Sequence, residues 1–178
     1  MSYPYKKEIR VEEIFIWHLK LKGQISVDEC AVGWCISDVL SLNMKLKQVY
    51  EYEFKRTSHD LKVLELKKDK YRERKQYNWG TKKHDILTSK QPNRFYFVVP
   101  EDLFEKEKDY LLSLEGVGVI IWHLRSNASG TRIEFTSMKR VRTIFDNTFD
   151  FDKTEKRIRD RIYNKHFYDI EKKLYGSH

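Results

Sequence analysis

The chain has 178 residues, of which 40% are hydrophobic and 35% are charged, and its formal net charge is +8. This composition indicates one folded domain and argues against a disordered chain. The sequence contains no apolar run of about eighteen residues, and its first ten residues, MSYPYKKEIR, lack an apolar leader. We therefore expect no membrane span, no secretory signal and a cytoplasmic location.

The predicted elements alternate between helices and strands. Aromatic and β-branched runs indicate strands, and apolar residues spaced three or four positions apart indicate helices. Short strands beside helices predict a single α/β domain in which a mixed sheet is flanked by helices on both faces. In chain order we predict a helix over 8–22, a connection over 24–32, strands over 34–43 and 48–55, a basic helix over 59–76, a short helix over 83–87, a strand over 94–100, a helix over 101–114, a strand over 116–124, an edge strand over 131–138 and a helical segment from 139 onward.

The same patterns predict how some of these elements begin and pack. The first helix carries Ile16 and Leu19 on one face, with Glu12 among them. Ser58 is the expected N-terminal cap of the basic helix. Three tryptophans that lie in apolar runs are expected in the core: Trp17, Trp34 and Trp122.

Positive charge is concentrated in one part of the chain. Residues 55–83 contain eleven Lys or Arg and four Asp or Glu. A basic zone of this kind favours a polyanionic partner. We expect that partner to be DNA, although these residues do not distinguish DNA from RNA.

Charged side chains also lie within runs that otherwise resemble buried strands. Because successive strand residues point to opposite faces, Glu51, Glu53 and Lys55 project to one side and the aromatic residues between them project to the other. Asp38, on the preceding strand, is expected to meet Glu53 or Glu51 across the hairpin. Two carboxylates repel each other unless a cation joins them, and Mg²⁺ prefers such oxygen ligands. Lys55 beside the ion would suit phosphodiester cleavage.

These residues resemble a known family. Asp38, followed after fourteen residues by Glu53-Phe54-Lys55 at the end of the next strand and then by a basic helix, resembles the core of the PD-(D/E)XK nuclease superfamily, the restriction-endonuclease-like fold. Residues 8–100 are similar to that core in their order of helix, three strands, helix and strand. The small MmcB-like members are the most similar. The Pro-Asp pair of the family name is here Ser37-Asp38, which keeps the carboxylate.

The resemblance implies a site, a cofactor and partners. By it, Asp38 and Glu53 are metal ligands and catalytic residues, Lys55 is the catalytic lysine, and Glu12 is a further metal ligand on the first helix. The cofactor is Mg²⁺ or Mn²⁺, the substrate is DNA, and a homodimer would allow both strands to be cut. The nuclease-like core covers residues 8–124, and residues 125–178 form a basic helical extension. We expect these basic residues to contact phosphates: Arg56, Lys62, Lys67, Lys68, Arg72, Lys75 and Lys83.

Three other interpretations of the same residues stay open. The charges on the two strands would also suit a surface ladder of ion pairs, each worth about 0.2 to 1 kcal/mol. The chain would also suit a nucleic-acid-binding protein that keeps a nuclease-like scaffold without turnover. A third interpretation is an assembly protein whose basic face meets an acidic protein partner.

Overall fold

The computed structural model describes residues 10–32, 35–64, 92, 94–127, 130–141 and 151–175. A short π-helical turn, Asp60–Leu64, follows the third strand. The other elements are, in chain order, helix α1 (Val11–Leu21), strands β1 (Ile25–Val32), β2 (Cys35–Asn43), β3 (Gln48–Phe54) and β4 (Arg94–Pro100), helix α2 (Glu101–Ser113), strands β5 (Gly118–Asn127) and β6 (Gly130–Lys139), and helix α3 (Phe151–Tyr175).

The six strands form one mixed sheet in the order β1-β2-β3-β4-β5-β6. The first three strands pair antiparallel, β3 pairs parallel with β4 and β4 with β5, and β6 returns antiparallel to β5. The parallel strands occupy the middle of the sheet. This placement accounts for their continuous apolar runs, because strands that are covered on both faces need apolar side chains on both.

Helices cover both faces of the sheet, which confirms the predicted α/β class. On one face, Phe15 and Leu19 of α1 pack on β2, β3 and β4 in a cluster that includes Tyr52 and Tyr96. On the other face, α2 covers β4 and β5 through Phe104. Helix α3 covers β1, β2 and β3 on that same face, where Ile158 is buried. The sheet therefore separates two cores, and each residue of β3 belongs to one or the other.

Strand β1 lies where a connection was predicted over 24–32, so that prediction was wrong. Its polar residues obscured the pattern: Ser26 and Asp28 are buried although neither is apolar. The alternation also breaks, because Val27 and Cys30, three positions apart, both belong to the core under α3. The break lies at Glu29, which has a φ of 48°, while the pairing register with β2 is the same on both sides of it.

The remaining predicted elements in the described ranges were confirmed within a few residues. Two details were wrong. The Thr57 hydroxyl, and not that of Ser58, accepts the N–H of Asp60, at 3.1 Å. Trp17 is 62% exposed and so lies outside the core. Trp34, most of the basic helix over 59–76 and the short helix over 83–87 lie outside the described residues.

The chain after residue 124 is part of the fold. The end of β5 and all of β6 complete the sheet, and α3 packs on its opposite end. Nζ of Lys165 donates two hydrogen bonds, of 2.8 and 2.7 Å, to the buried carboxylate of Asp28. Within the part of the chain that the structure describes, no helix combines the length and the apolar character needed to span a bilayer.

Candidate active site at the end of strand β3

Strand β3 ends in two buried charges. Glu53 is 0% exposed and Lys55 is 3% exposed, and Nζ of Lys55 donates to Oε2 of Glu53 at 3.2 Å. Phe54, between them, points to the α1 side of the sheet. The backbone N–H of Lys55 donates to the carbonyl of Val98 at 3.0 Å. Strand β4 therefore fixes the backbone from which the lysine projects, as the predicted alternation requires.

Asp38 approaches this pair through the backbone. Its Oδ2 accepts the N–H of Phe54 at 2.7 Å, so its carboxylate lies against the residue between Glu53 and Lys55. The short distance is typical of a hydrogen bond to a charged acceptor. The structure thus brings Asp38, Glu53 and Lys55 to one end of β3.

The break in alternation beside Glu29 extends to β2, where Ser37 and Leu40 both lie on the face of Glu51. Ser37, and not Asp38, donates its hydroxyl to Oε1 of Glu51, at 2.9 Å. The β2–β3 pairing ends at Val39 with Tyr52. The contact of Asp38 with the N–H of Phe54 lies next to Glu53 in β3, and the predicted meeting of the Asp38 and Glu53 carboxylates stays a prediction.

Glu12 lies at the same end of the sheet. Its Oε1 accepts from Nη2 of Arg56 at 2.9 Å, and its Oε2 lies 3.5 Å from Nε of Arg10. Glu12 is buried, and its Oε2 has no hydrogen-bond partner among the described residues. A buried carboxylate oxygen without a hydrogen bond is costly to desolvate, so this atom is a candidate ligand for a cation.

Asp60 is a member of the site that the sequence analysis missed. Its Oδ1 lies 3.7 Å from Nζ of Lys55, and its side chain is 32% exposed. The Thr57 cap holds the start of the helical turn on which Asp60 lies. Asp60 therefore marks the side from which solvent reaches Lys55. The available signal was Thr57, a capping residue two positions after Lys55. Such a residue indicates that a helical turn begins directly after the strand.

Burial of these charges does not by itself stabilise the protein. Removing a carboxylate and an ammonium from water costs several kcal/mol per ion, and apolar residues of similar volume often stabilise a protein as well or better. Glu51 and Glu53 are among the largest fully buried side chains of the protein. The surface ladder of ion pairs is therefore excluded as a description of Glu53 and Lys55, because both side chains lie in the interior.

The predicted phosphate-binding residues divide into two groups. Arg56 is largely exposed but pairs with Glu12, and Lys62 pairs with Glu107 on α2 and lies 5.2 Å from the ring centre of Tyr110. The charge of Lys62 is thus compensated within the fold. The others lie outside the described residues: Lys67, Lys68, Arg72, Lys75 and Lys83.

The donor set at the end of β3 fits a magnesium site of the open kind. Mg²⁺ in enzymes is usually held by one or two carboxylates and keeps several waters or substrate oxygens. Asp38 and Glu53 supply such carboxylates, and Glu12 has a buried oxygen without a hydrogen bond. Across the described ranges, no three side chains of His, Cys, Asp or Glu lie close enough together to hold a metal ion, so the structure does not bring Glu12 into one ligand group with Asp38 and Glu53.

Comparison with known proteins identifies a shared fold. No protein-family model matches the chain, and no curated protein matches it. A solved structure with a similar fold is the SPO1766 protein of unknown function from Silicibacter pomeroyi. The similarity covers 97% of this chain and 94% of that one, with a TM-score of 0.57 and 14% sequence identity. At this identity the similarity shows that the two chains share a fold over nearly their whole length.

Proposed function

We propose that the protein is a metal-dependent nuclease that hydrolyses DNA phosphodiester bonds at the end of β3. The observation that carries the proposal is the buried Glu53–Lys55 pair with Asp38 bound to the N–H between them. The order of α1, three antiparallel strands, a helical turn and a strand parallel to β3 supports it as well, since this is the order that the family resemblance predicts.

Each residue has a role in this proposal. Asp38 and Glu53 would hold Mg²⁺ or Mn²⁺, with Glu12 as a third carboxylate on α1. The ion would polarise a phosphoryl oxygen and lower the pKa of a coordinated water. Because the Lys55 ammonium lies 3.2 Å from the Glu53 carboxylate, a phosphate held beside Glu53 also meets Lys55. The ammonium then stabilises the negative charge that develops on the phosphate.

Charge supports a nucleic acid as the substrate. Residues 55–83 carry a large excess of Lys and Arg and follow directly after the site. Such a zone attracts the phosphate backbone regardless of base sequence, and the attraction weakens steeply as salt rises. The proposal includes a cytoplasmic location, where the chain would meet DNA, and a homodimer as the form that cuts both strands.

The test compares cleavage by the native chain with that of single-residue variants. Labelled duplex, single-stranded and branched DNA, together with RNA, are incubated with Mg²⁺ or Mn²⁺. Asp38→Asn, Glu53→Gln and Lys55→Met should each reduce metal-dependent cleavage by about a hundredfold or more, since each removes a group that contacts the metal or the phosphate.

Glu51→Gln is the matched control. Glu51 lies on the same strand and the same face as Glu53 and is equally buried, but it bonds to Ser37. A glutamine can still accept that hydrogen bond, so this variant should keep its cleavage rate. Equal losses in the Glu51 and Glu53 variants would reject the site. Salt-sensitive binding of DNA without cleavage on any substrate would instead establish the non-catalytic binding protein.

A further inference from the structure

A pocket of about 340 Å³ opens on the opposite face of the sheet, between α1 and the strands. Its walls come from α1, β3, β4, β5 and β6 and from the segments that follow α1 and β6. The volume lies within the range of about 300 to 1,000 Å³ that is usual for small-molecule sites. None of the residues proposed for metal binding or catalysis lines it.

Tyrosine rings form one wall of this pocket. The rings of Tyr52 and Tyr96 stack with centroids 5.4 Å apart, and Tyr50 stacks on Tyr96 at 6.4 Å. The three tyrosines are each at most 7% exposed, and the small exposed part of each borders the cavity. Gly118 leaves room for the Tyr96 ring, because a Cβ at Gly118 would overlap that ring. The wall is therefore aromatic, and a planar ring in the cavity would pack against it.

Cations surround this aromatic wall. Lys22, Arg94 and Arg140 line the pocket, and no Asp or Glu does so among the residues that the structure describes. The guanidinium of Arg94 lies 5.4 Å from the ring centre of Tyr50. Burial, followed by the charge of Lys22, lowers the pKa of His18, so its ring lines the pocket mainly in the neutral form at neutral pH. The pocket thus combines aromatic rings with positive charge.

The sheet separates this pocket from the charges at the end of β3. Tyr52 and Glu53 are neighbours in β3 and point to opposite faces. A phosphate held at Glu53 lies on the other side of the sheet from the tyrosine wall. A ligand in the pocket would therefore be separate from a phosphate bound at Glu53.

We propose that this pocket binds a nucleoside monophosphate. The base would stack on the tyrosine wall, as bases stack on aromatic side chains in proteins that bind single-stranded nucleic acids. The phosphate would meet Arg94, Arg140 and Lys22, since guanidinium groups form charge-assisted hydrogen bonds with phosphate oxygens. The proposal requires neither a metal nor cleavage activity, so it stands or falls independently of the nuclease proposal.

Calorimetric titration of the full-length chain tests this proposal without metal. The probes are the monophosphates of adenosine, guanosine, cytidine and uridine, together with adenosine, ribose 5-phosphate and a single-stranded oligonucleotide. At least one monophosphate should bind one to one. Adenosine and ribose 5-phosphate should bind more weakly, because each of them lacks one of the two contacts.

Variants locate the binding. Arg140→Gln and Lys22→Gln change exposed side chains that line the pocket, and each should weaken binding by about tenfold, as expected for the loss of a hydrogen bond to a charged group. Lys20→Gln is the control, because Lys20 is exposed on α1 and does not line the pocket.

Several outcomes would overturn the proposal. These are the absence of binding by every monophosphate, equal binding of ribose 5-phosphate, and unchanged affinity in the Arg140 and Lys22 variants. Binding of the oligonucleotide alone would also overturn it, since the pocket would then serve a strand and not a free nucleotide.

Discussion

Strand β3 presents two very different surfaces to the two cores of the protein. Toward α2 and α3 it places Glu51 and Glu53, and Lys55 follows directly after the strand; all three are buried. Toward α1 it places Tyr50, Tyr52 and Phe54, which pack in an aromatic cluster. A seven-residue strand thus carries a charged face and an aromatic face, and each lies at a candidate site.

Burial affects stability differently on the two faces of β3. On the aromatic face, burial of ring surface stabilises the fold directly and also forms a pocket wall. On the charged face, burial costs free energy that pairing only partly offsets. Stability accounts for the aromatic face, whereas burial of the charges on the other face would be explained by the catalytic role that we propose for them. Substitutions on the two faces should therefore change the free energy of unfolding to different extents.

The largest expected change in stability comes from a substitution on the charged face. Lys55→Met leaves Glu53 buried without the ammonium at 3.2 Å, which should lower the free energy of unfolding by about 3 to 5 kcal/mol. The double variant Glu53→Gln/Lys55→Met removes both charges and should recover most of this loss. Urea unfolding followed by circular dichroism measures both. A single variant as stable as the native chain would show that the pair is not coupled.

A smaller effect is expected on the aromatic face. Gly118→Ala forces a methyl group into the space of the Tyr96 ring, and overpacking of this kind costs about 1 to 3 kcal/mol. Tyr96→Leu alone should also destabilise the protein. In the double variant the two losses should not add, because the smaller side chain makes room for the methyl group. Simple additivity would mean that Gly118 is needed for another reason.

The next effect on stability concerns the ion pair that joins α3 to β1. Lys165→Met removes the partner of the buried Asp28 carboxylate, and because Lys165 is 41% exposed the expected cost is moderate, about 2 kcal/mol. Lys156→Met is the control, since Lys156 is an exposed residue of the same helix.

The pH dependence of this variant has a definite sign. Burial raises the pKa of Asp28, but the hydrogen bonds and charge of Lys165 outweigh it and leave the pKa below its ordinary value. The stability that this carboxylate contributes is present above its unfolded pKa, about 3.9, and is lost as the pH falls through the folded value. The difference between the native chain and Lys165→Met should shrink in acid. A constant difference would show that the lysine acts by packing alone.

How much of the structure the sequence predicts depends on how far apart in the chain the contacting residues lie. Strands β3, β4 and β5 were predicted because their apolar residues are consecutive or alternate, and the alternation also placed Glu53 and Lys55 on one face. Strand β1 was missed because Asp28 is buried by a partner 137 positions away. No local pattern records such a partner, and a polar residue in a short run normally indicates a connection.

The same limit applies to the two candidate sites. The spacing of Asp38, Glu53 and Lys55 was sufficient to predict that they converge, but no local pattern predicts the contact of Asp38 with the β3 backbone. That contact lies beside the break in alternation at Glu29 of the neighbouring strand. The tyrosine pocket was not predicted at all. Its wall needs Tyr96 of β4 beside Tyr50 and Tyr52 of β3, and its cations come from segments that are far apart in the chain.

The smallest effect expected at neutral pH is that of Tyr52→Phe, which keeps the aromatic ring and removes a hydroxyl. We expect a change in unfolding free energy of about 1 kcal/mol or less at pH 7. Burial, followed by the nearby Tyr96 and Tyr50, holds the pKa of Tyr52 well above its ordinary value. The folded chain therefore keeps this proton at pH values where the unfolded chain releases it.

The consequence appears in alkali. A group whose pKa is raised on folding contributes stability below its unfolded pKa, about 10, and this contribution is lost as the pH rises toward the folded value. The native chain should lose stability above about pH 10 more steeply than Tyr52→Phe, as urea unfolding at pH 7 and in this alkaline range would measure. Tyr163→Phe, at an exposed site on α3, should follow the native curve. Parallel curves for the native chain and Tyr52→Phe would mean that the Tyr52 hydroxyl ionises in the folded protein, and the aromatic face would then tolerate charge as the opposite face does.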